Sequence, residues 1–323
     1  MQPADVFVKG LGVHVPEVEG GAAVAGELPA PDMALLAARH AFSRCGHEPT
    51  DVDLLLYAST WHQGPDGWLP QSYLQRRLIG DDNLALSIDQ GRGGLLAGLE
   101  LAAGYLCADP GRRTALLVAA DNFGTPLLRR RSGGEVLGDA GAALLLTREL
   151  GFARLLSVCS VTVPEAEEMY RAGEPMFPPG ATTGRAVDLP ARADVFRRRL
   201  AAEPAGTALW QELEKRMVEI VHAALGEAGV EPGDIAAAAL TALPGGDLEP
   251  VLHALRLPPS RSTAAVSHRL GQLGAADPVV ALDHLVSAGA LRPGDHVVLH
   301  TTGAGLTASC AVLRIEGTAP WTT

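Results

Sequence analysis

Aromatic residues are scarce: Phe, Trp and Tyr make up 4% of the 323 residues. A carbohydrate or nucleic-acid platform needs rings to stack on, and this chain has few. Lysine occurs only as Lys9 and Lys215, so nearly all positive charge is arginine. The balance is acidic, with net charge −11 and a pI near 5.4, which argues against nonspecific nucleic-acid binding. The four cysteines, Cys45, Cys107, Cys159 and Cys310, show neither CxxC pairing nor framework spacing. They read as small buried residues in a reducing cytoplasm, with no metal site and no resident cofactor expected. No apolar run of about 18 residues is present, so no membrane partner is expected. The opening Met1-Gln-Pro-Ala-Asp-Val6 lacks the basic and apolar regions of a secretion signal, and a cytoplasmic location is expected.

What the chain does have is Ala, Leu, Val and Gly, with 47% hydrophobic and 20% charged residues, the composition of a folded α/β protein. It also echoes itself. Gly46-His-Glu-Pro-Thr-Asp51 leads into an apolar run from Val52 to Ser59, and Gly229-Val-Glu-Pro-Gly-Asp234 leads into one from Ile235 to Ala242. Each follows an amphipathic stretch, Met33 to Cys45 or Leu213 to Ala228, and reads as helix, glycine cap, turn and buried strand. Gly91-Arg-Gly-Gly then opens an apolar helix (Leu95–Leu106), and Gly271-Gln-Leu-Gly opens another (Ala275–Val286). Each half closes on a buried strand and a Gly-Ala-Gly strand pair, so the chain reads as two β-α-β-α-β-β halves. Residues 1–160 and 206–323 form the halves, and the proline-rich stretch 161–205 has no counterpart and reads as a cap.

The repeat predicts a pseudo-twofold axis that brings Arg92 and Gln272 together. Arg92 sits where a strand turns through glycines into a helix. The free N–H groups and dipole there favour an anion or a thiolate, not a guanidinium. Arg129, Arg130 and Arg131, and likewise Arg197 to Arg199, are either solvated faces or docks for an acidic partner or a phosphate.

The ordered set Val8-Lys-Gly-Leu-Gly-Val-His-Val-Pro16, Leu137-Gly-Asp-Ala-Gly-Ala142, Leu291-Arg-Pro-Gly-Asp295 and Gly303-Ala-Gly-Leu-Thr307 resembles the thiolase superfamily, specifically the ketoacyl-ACP synthase III group. The resemblance implies a five-layered α-β-α-β-α core made of two pseudo-symmetric halves. It implies a homodimer, and substrates that are acyl thioesters of acyl carrier protein or coenzyme A. It also implies a Cys–His–Asn site, which this chain lacks. Arg92 stands at the cysteine position, Thr241 at the histidine position and Gln272 at the asparagine position.

An acyltransferase of polyketide or fatty-acid type metabolism remains open, passing an acyl group from a thioester without a cysteine nucleophile. Asp277, in Gly274-Ala-Ala-Asp277, is the candidate base, with His268 or His300. A salt bridge between Arg92 and Asp277 is the alternative account of both residues. Backbone near Gly303 is the candidate oxyanion hole. Trp61, His62 and Trp68 line either a substrate tunnel or a dimer loop, and Arg129 to Arg131 are the candidate carrier dock. Ser87, at the strand end, is a weak nucleophile candidate. Two other functions stay open: a catalytically silent subunit paired with an active paralogue, and an acyl-carrier-binding module.

Overall fold

The computed structural model describes residues 1–126, 128–132, 135–178, 184–241 and 248–322, with the side chains of residues 204, 205, 267, 268 and 304 outside that description. Strand β1 (Phe7–His14) lies so close to the following helix that a Cβ on Gly12 would stand 2.1 Å from the Ala37 carbonyl oxygen. A short ribbon, β2 (Val18–Glu19) and β3 (Ala22–Ala23), leads to α1 (Ala30–Cys45), which ends at Gly46 in the left-handed conformation (φ 61°). Then come β4 (Leu54–Ala58), α2 (Pro70–Leu78), β5 (Leu84–Ile88), α3 (Gly94–Ala108) and β6 (Thr114–Asp121). A hairpin, β7 (Arg131–Ser132) and β8 (Glu135–Val136), precedes β9 (Ala140–Thr147).

The second half opens with β10 (Ala153–Thr162) and continues through α4 (Glu168–Arg171) and α5 (Leu189–Ala202). It then repeats the first: α6 (Pro204–Ala228), a left-handed cap at Gly229 (φ 66°), β11 (Ile235–Leu240), α7 (Glu249–Ala254), α8 (Ala264–Leu270), α9 (Asp277–Ser287), β12 (His296–Thr302) and β13 (Thr307–Ile315). Nine of the described strands form one continuous sheet in the order β11-β12-β13-β10-β1-β9-β6-β4-β5, and β2-β3 and β7-β8 stay separate two-stranded ribbons.

Outward from the centre, β1-β9-β6-β4-β5 and β10-β13-β12-β11 have the same order and the same parallel and antiparallel pairings. The counterpart of β5 in the second half shrinks to a single bridge between Ala238 and Ser262. The prolines at 258 and 259 explain this, because they limit what the segment can add to a ladder. The boundary expected at 160 also moves. Strand β10 pairs with β13 along its whole length and touches β1 only at Phe7 and Val8, so it belongs to the second half.

The core is layered. Helix α1 covers the outer face of the first sheet half through Ala34, Ala38, Leu116 and Leu145. Helices α6 and α7 cover the outer face of the second through Val221, Leu225, Leu255 and Val312. Between the halves, α3 and α9 fill one large cluster with residues from both halves of the sheet. This is the expected five-layered α-β-α-β-α arrangement. The cap adds its own small core of Met169, Phe196 and Leu213, joined to Leu306.

Each central helix is introduced by one 3-10 turn, Gly91–Gly93 before α3 and Gly274–Ala276 before α9. The spacing from Gly46 to Gly229 recurs from Gly91 to Gly274, so the repeat partner of Arg92 is Ala275 and not Gln272. Leu99, on α3, is 0% exposed at the middle of the central layer. Leu99→Ala is expected to lower stability by about 2–5 kcal/mol in denaturant unfolding, because the surrounding layers cannot collapse onto the cavity.

Candidate functional site

Three tight turns meet between the halves. The first carries Arg92 and starts at Gly91, whose φ of 53° suits glycine. The second starts at Gly274 (φ 61°), where a Cβ would lie 2.2 Å from an Asp121 carboxylate oxygen. The third is at Gly303, where a Cβ would stand 2.8 Å from both the Gln90 carbonyl oxygen and the Gly93 nitrogen. Glycine is what lets these backbones touch. Asp121, buried at the end of β6, fastens the centre by accepting from the N–H groups of Thr60 (2.7 Å), Trp61 (3.2 Å) and Ala275 (3.0 Å). Burial pushes its carboxyl up to about 6, against the pull of those three donors.

Arg92 is 4% exposed. Its ion pair is with Glu135 on β8, at 3.8 Å from Nη2 to Oε2, which corrects the expected pair with Asp277. Thr301 donates its hydroxyl to the Arg92 carbonyl at 3.5 Å. Asp277 begins α9, is also 4% exposed, and accepts from the Leu273 N–H at 3.3 Å. Burial raises its carboxyl to about 7, and the Leu273 N–H and the Arg92 charge only partly offset this. The structure thus brings Arg92 and Asp277 into electrostatic contact. Gln272 joins them through backbone, donating to the Val136 carbonyl (2.8 Å) and accepting from Gly138 N–H (2.9 Å). Tyr170, from the cap, also reaches the charged pair: burial pushes its phenol up, Arg92 opposes that and Glu135 adds to it.

Other expected residues are placed differently. Thr241 continues β11 by donating its N–H to the His300 carbonyl at 3.0 Å. Strand alternation puts its side chain on the central face with Ala239, and its hydroxyl has no hydrogen-bond partner. His300 falls on the opposite face. It lies beside Leu240 and opposite Cys310, under α6 and α7, which removes it from the centre as a base. Burial lowers it to about 4, so it stays neutral. The Gly303 N–H already donates to the Thr307 carbonyl at 2.8 Å and cannot serve as the expected oxyanion donor. The side chain of His268 lies outside the described residues.

Trp61 packs near Phe123, Leu128 and Leu137, beside the centre. His62 is exposed and bonds only within its own loop, to the Pro65 carbonyl, while Trp68 lies over Gly64 and against Tyr73. Of the proposed carrier dock, Arg130 is taken up by Asp139 at 2.8 Å, and Arg131 donates to the Gly20 carbonyl at 2.7 Å. Arg129 remains 66% exposed beside Asp188. Ser87 donates to Gln71 at 2.6 Å, toward α2 and away from the site. None of the four cysteines is central: Cys45 ends α1, Cys107 is exposed near the end of α3, and Cys159 and Cys310 pair across the outer face. Glu135 and Asp121 were not singled out by sequence. For Asp121 a signal was available, an acid ending the apolar run of β6, whereas nothing local marks Glu135.

The family model "3-Oxoacyl-[acyl-carrier-protein (ACP)] synthase III C terminal" matches residues 225–315. The solved structure of ChlB3, described as an acyltransferase, is 46% identical, with 98% of this chain and all of that chain covered and a TM-score of 0.90. The chain belongs to the ketoacyl-ACP synthase III-like branch of the thiolase superfamily. The beta-ketoacyl-[acyl-carrier-protein] synthase III 3 of Streptomyces coelicolor is 28% identical over 303 residues, covering 87% of this chain and 82% of that protein. The 3-oxoacyl-[acyl-carrier-protein] synthase III of Aquifex aeolicus shares the fold, with 18% identity, a TM-score of 0.75, and 96% and 99% of the two chains covered. Among the described residues, no helix of this family member is long and apolar enough to cross a membrane, and no group of metal-ligating side chains forms.

A carboxyl raised in the folded state favours its protonated form, so its ionisation works against folding. For Asp277 that penalty is absent below about pH 4, grows between pH 4 and 7, and is constant above about 7. Asp277→Asn, neutral throughout, is therefore expected to be more stable than the native protein at pH 8 by on the order of 1–3 kcal/mol. The gap narrows toward pH 5, and thermal unfolding at the two pH values checks it.

Proposed function

We propose that the chain is a ketoacyl-ACP synthase III-like acyltransferase that moves an acyl group directly from a carrier-protein or coenzyme A thioester to a hydroxyl or amine. The observation that carries this reading is Asp277, a buried acid at the positive end of α9 that exchanges its proton near neutrality beside Arg92. No thiol stands at the site to form an acyl-enzyme. In this reaction the ionised Asp277 takes the acceptor's proton as its oxygen or nitrogen attacks the thioester carbonyl. The carbon–sulfur bond breaks, and the departing thiolate takes up a proton. Arg92 supplies positive charge for the developing oxyanion, in place of the occupied Gly303 N–H. ChlB3, acyltransferase by description, supports the activity, and the carrier-protein synthases support the thioester donor. Specialised metabolism of polyketide or fatty-acid type is the proposed setting, and Arg129 and Arg131 are the exposed members of the proposed carrier dock.

One observation favours the silent-subunit reading instead: the Arg92 side chain is 5% exposed and ion-paired, so it fills space a nucleophile needs. A second copy is the proposed partner of the acyltransferase, and an active paralogue that of the silent subunit. Strand β5 ends the sheet with Leu84 and Leu86 each 46% exposed, and its edge carries no proline or lysine to discourage pairing.

Incubation with acyl-thioester and acceptor, read by mass spectrometry, is expected to give transfer without an acyl adduct on the chain. Asp277→Asn is expected to lower the rate by about 100-fold or more while the fold persists. An adduct, or full activity in the variant, rejects the direct route, and no turnover by the native protein leaves the silent subunit. Leu86→Arg is expected to convert a dimer to a monomer in sedimentation, and a monomeric native protein overturns the β5 interface.

A further inference from the structure

We propose that Glu135 is a positioning residue of this site: it holds and neutralises the Arg92 guanidinium and thereby controls the charge on Asp277. Arg92 lies just before α3, at the positive end of a helix of 15 residues, where a buried cation is opposed by the dipole. Such a guanidinium needs a counter-charge at its own depth. Glu135 supplies it, with the two side chains 5% and 17% exposed.

Backbone fixes the placement. Glu135 begins β8, and the following residues Val136 to Gly138 are bonded on both sides to Gln272, which opens the turn into α9. One hairpin from the first half therefore brings a carboxylate to Arg92 while its next residues are bonded to the segment that opens α9. The charged and titratable groups around Asp277 come from every element packed there. Among the described residues, Arg92 before α3 acts on Asp277 directly, Glu135 on β8 and Tyr170 on the cap act on Arg92, and Asp121 at the end of β6 holds the turn that opens α9. Arg130 and Asp139 neutralise each other next to β8. His268 is nearby in sequence, with its side chain outside the described residues.

The consequence is a division of one cation's field between two acids. While Glu135 balances Arg92, the pull of the guanidinium on Asp277 is partial, and burial keeps that acid protonated up to neutral pH. Neutralising Glu135 leaves more of the Arg92 charge acting on Asp277, which then ionises at lower pH. The effect on catalysis rests on Asp277 acting as the base, and the charge coupling itself does not.

Infrared titration of the Asp277 carboxylic-acid band tests it in the full chain. Each protein is compared with the same protein carrying Asp277→Asn. The native band is expected to vanish near pH 7. Glu135→Gln moves that midpoint to the acid side by about one unit or more, and Glu135→Asp, which keeps the charge, returns it toward the native value. Arg92→Met moves it the opposite way and serves as an independent sign test if Glu135→Gln does not fold. A Glu135→Gln midpoint at or above the native one overturns the proposal, as does an Arg92→Met midpoint at or below it. The pH profile of acyl transfer is expected to follow the infrared midpoint. Loss of all transfer with the infrared shift intact rejects the acyltransferase reading alone.

Discussion

A guanidinium buried at the positive end of a helix has to be neutralised where it stands. In this protein that requirement organises the centre. Arg92 faces an unfavourable dipole and little water, and Glu135 reaches it from a hairpin on the same half. The second half contributes Asp277, which sits at a helix start that welcomes negative charge yet is too buried to ionise readily. Two helix starts of like polarity therefore hold side chains of opposite preference, and the balance between them sets the chemistry available.

The close approach that makes this possible comes from glycine. At Gly274 and Gly303 a side chain would strike the Asp121 carboxylate or backbone, and Gly91 takes a positive φ of 53° that suits glycine, so the three turns can meet closely. Asp121 ties the same junction from beneath with three N–H donors. Such a junction transmits small changes, because neither the turns nor the layers around them have room to relax. The cap joins it through Leu306 and Tyr170, so the stretch without a repeat counterpart is coupled to the central turns by both packing and charge.

Much of the fold was legible along the chain because its determinants are local. Glycine caps at Gly46 and Gly229, apolar runs at strand spacing and glycine turns before the two central helices announce themselves within a few residues, although the second turn aligns at Gly274 and not at Gly271. The site was legible only in part. Arg92 and Asp277 were found because their types clash with, or suit, a helix start. Glu135 was missed because its importance depends on a partner far along the chain, and His300 was misplaced because one step along a strand reverses the face a residue occupies. Gly303 and Arg130 failed as candidates for a related reason: their donors were already engaged by neighbours that sequence does not reveal.

The sequence by itself determined the two-half α/β architecture, the absence of a thiol at the central turn and two of the charged residues delivered there, Arg92 and Asp277. These follow from periodicity, turn chemistry and residue type, all of which act at short range. Only the tertiary structure decided which acid neutralises Arg92, which face His300 takes and how strongly Asp277 holds its proton. Those outcomes depend on burial and on distances between groups brought together by folding, and electrostatics in a dry interior responds to such distances far more than to sequence order.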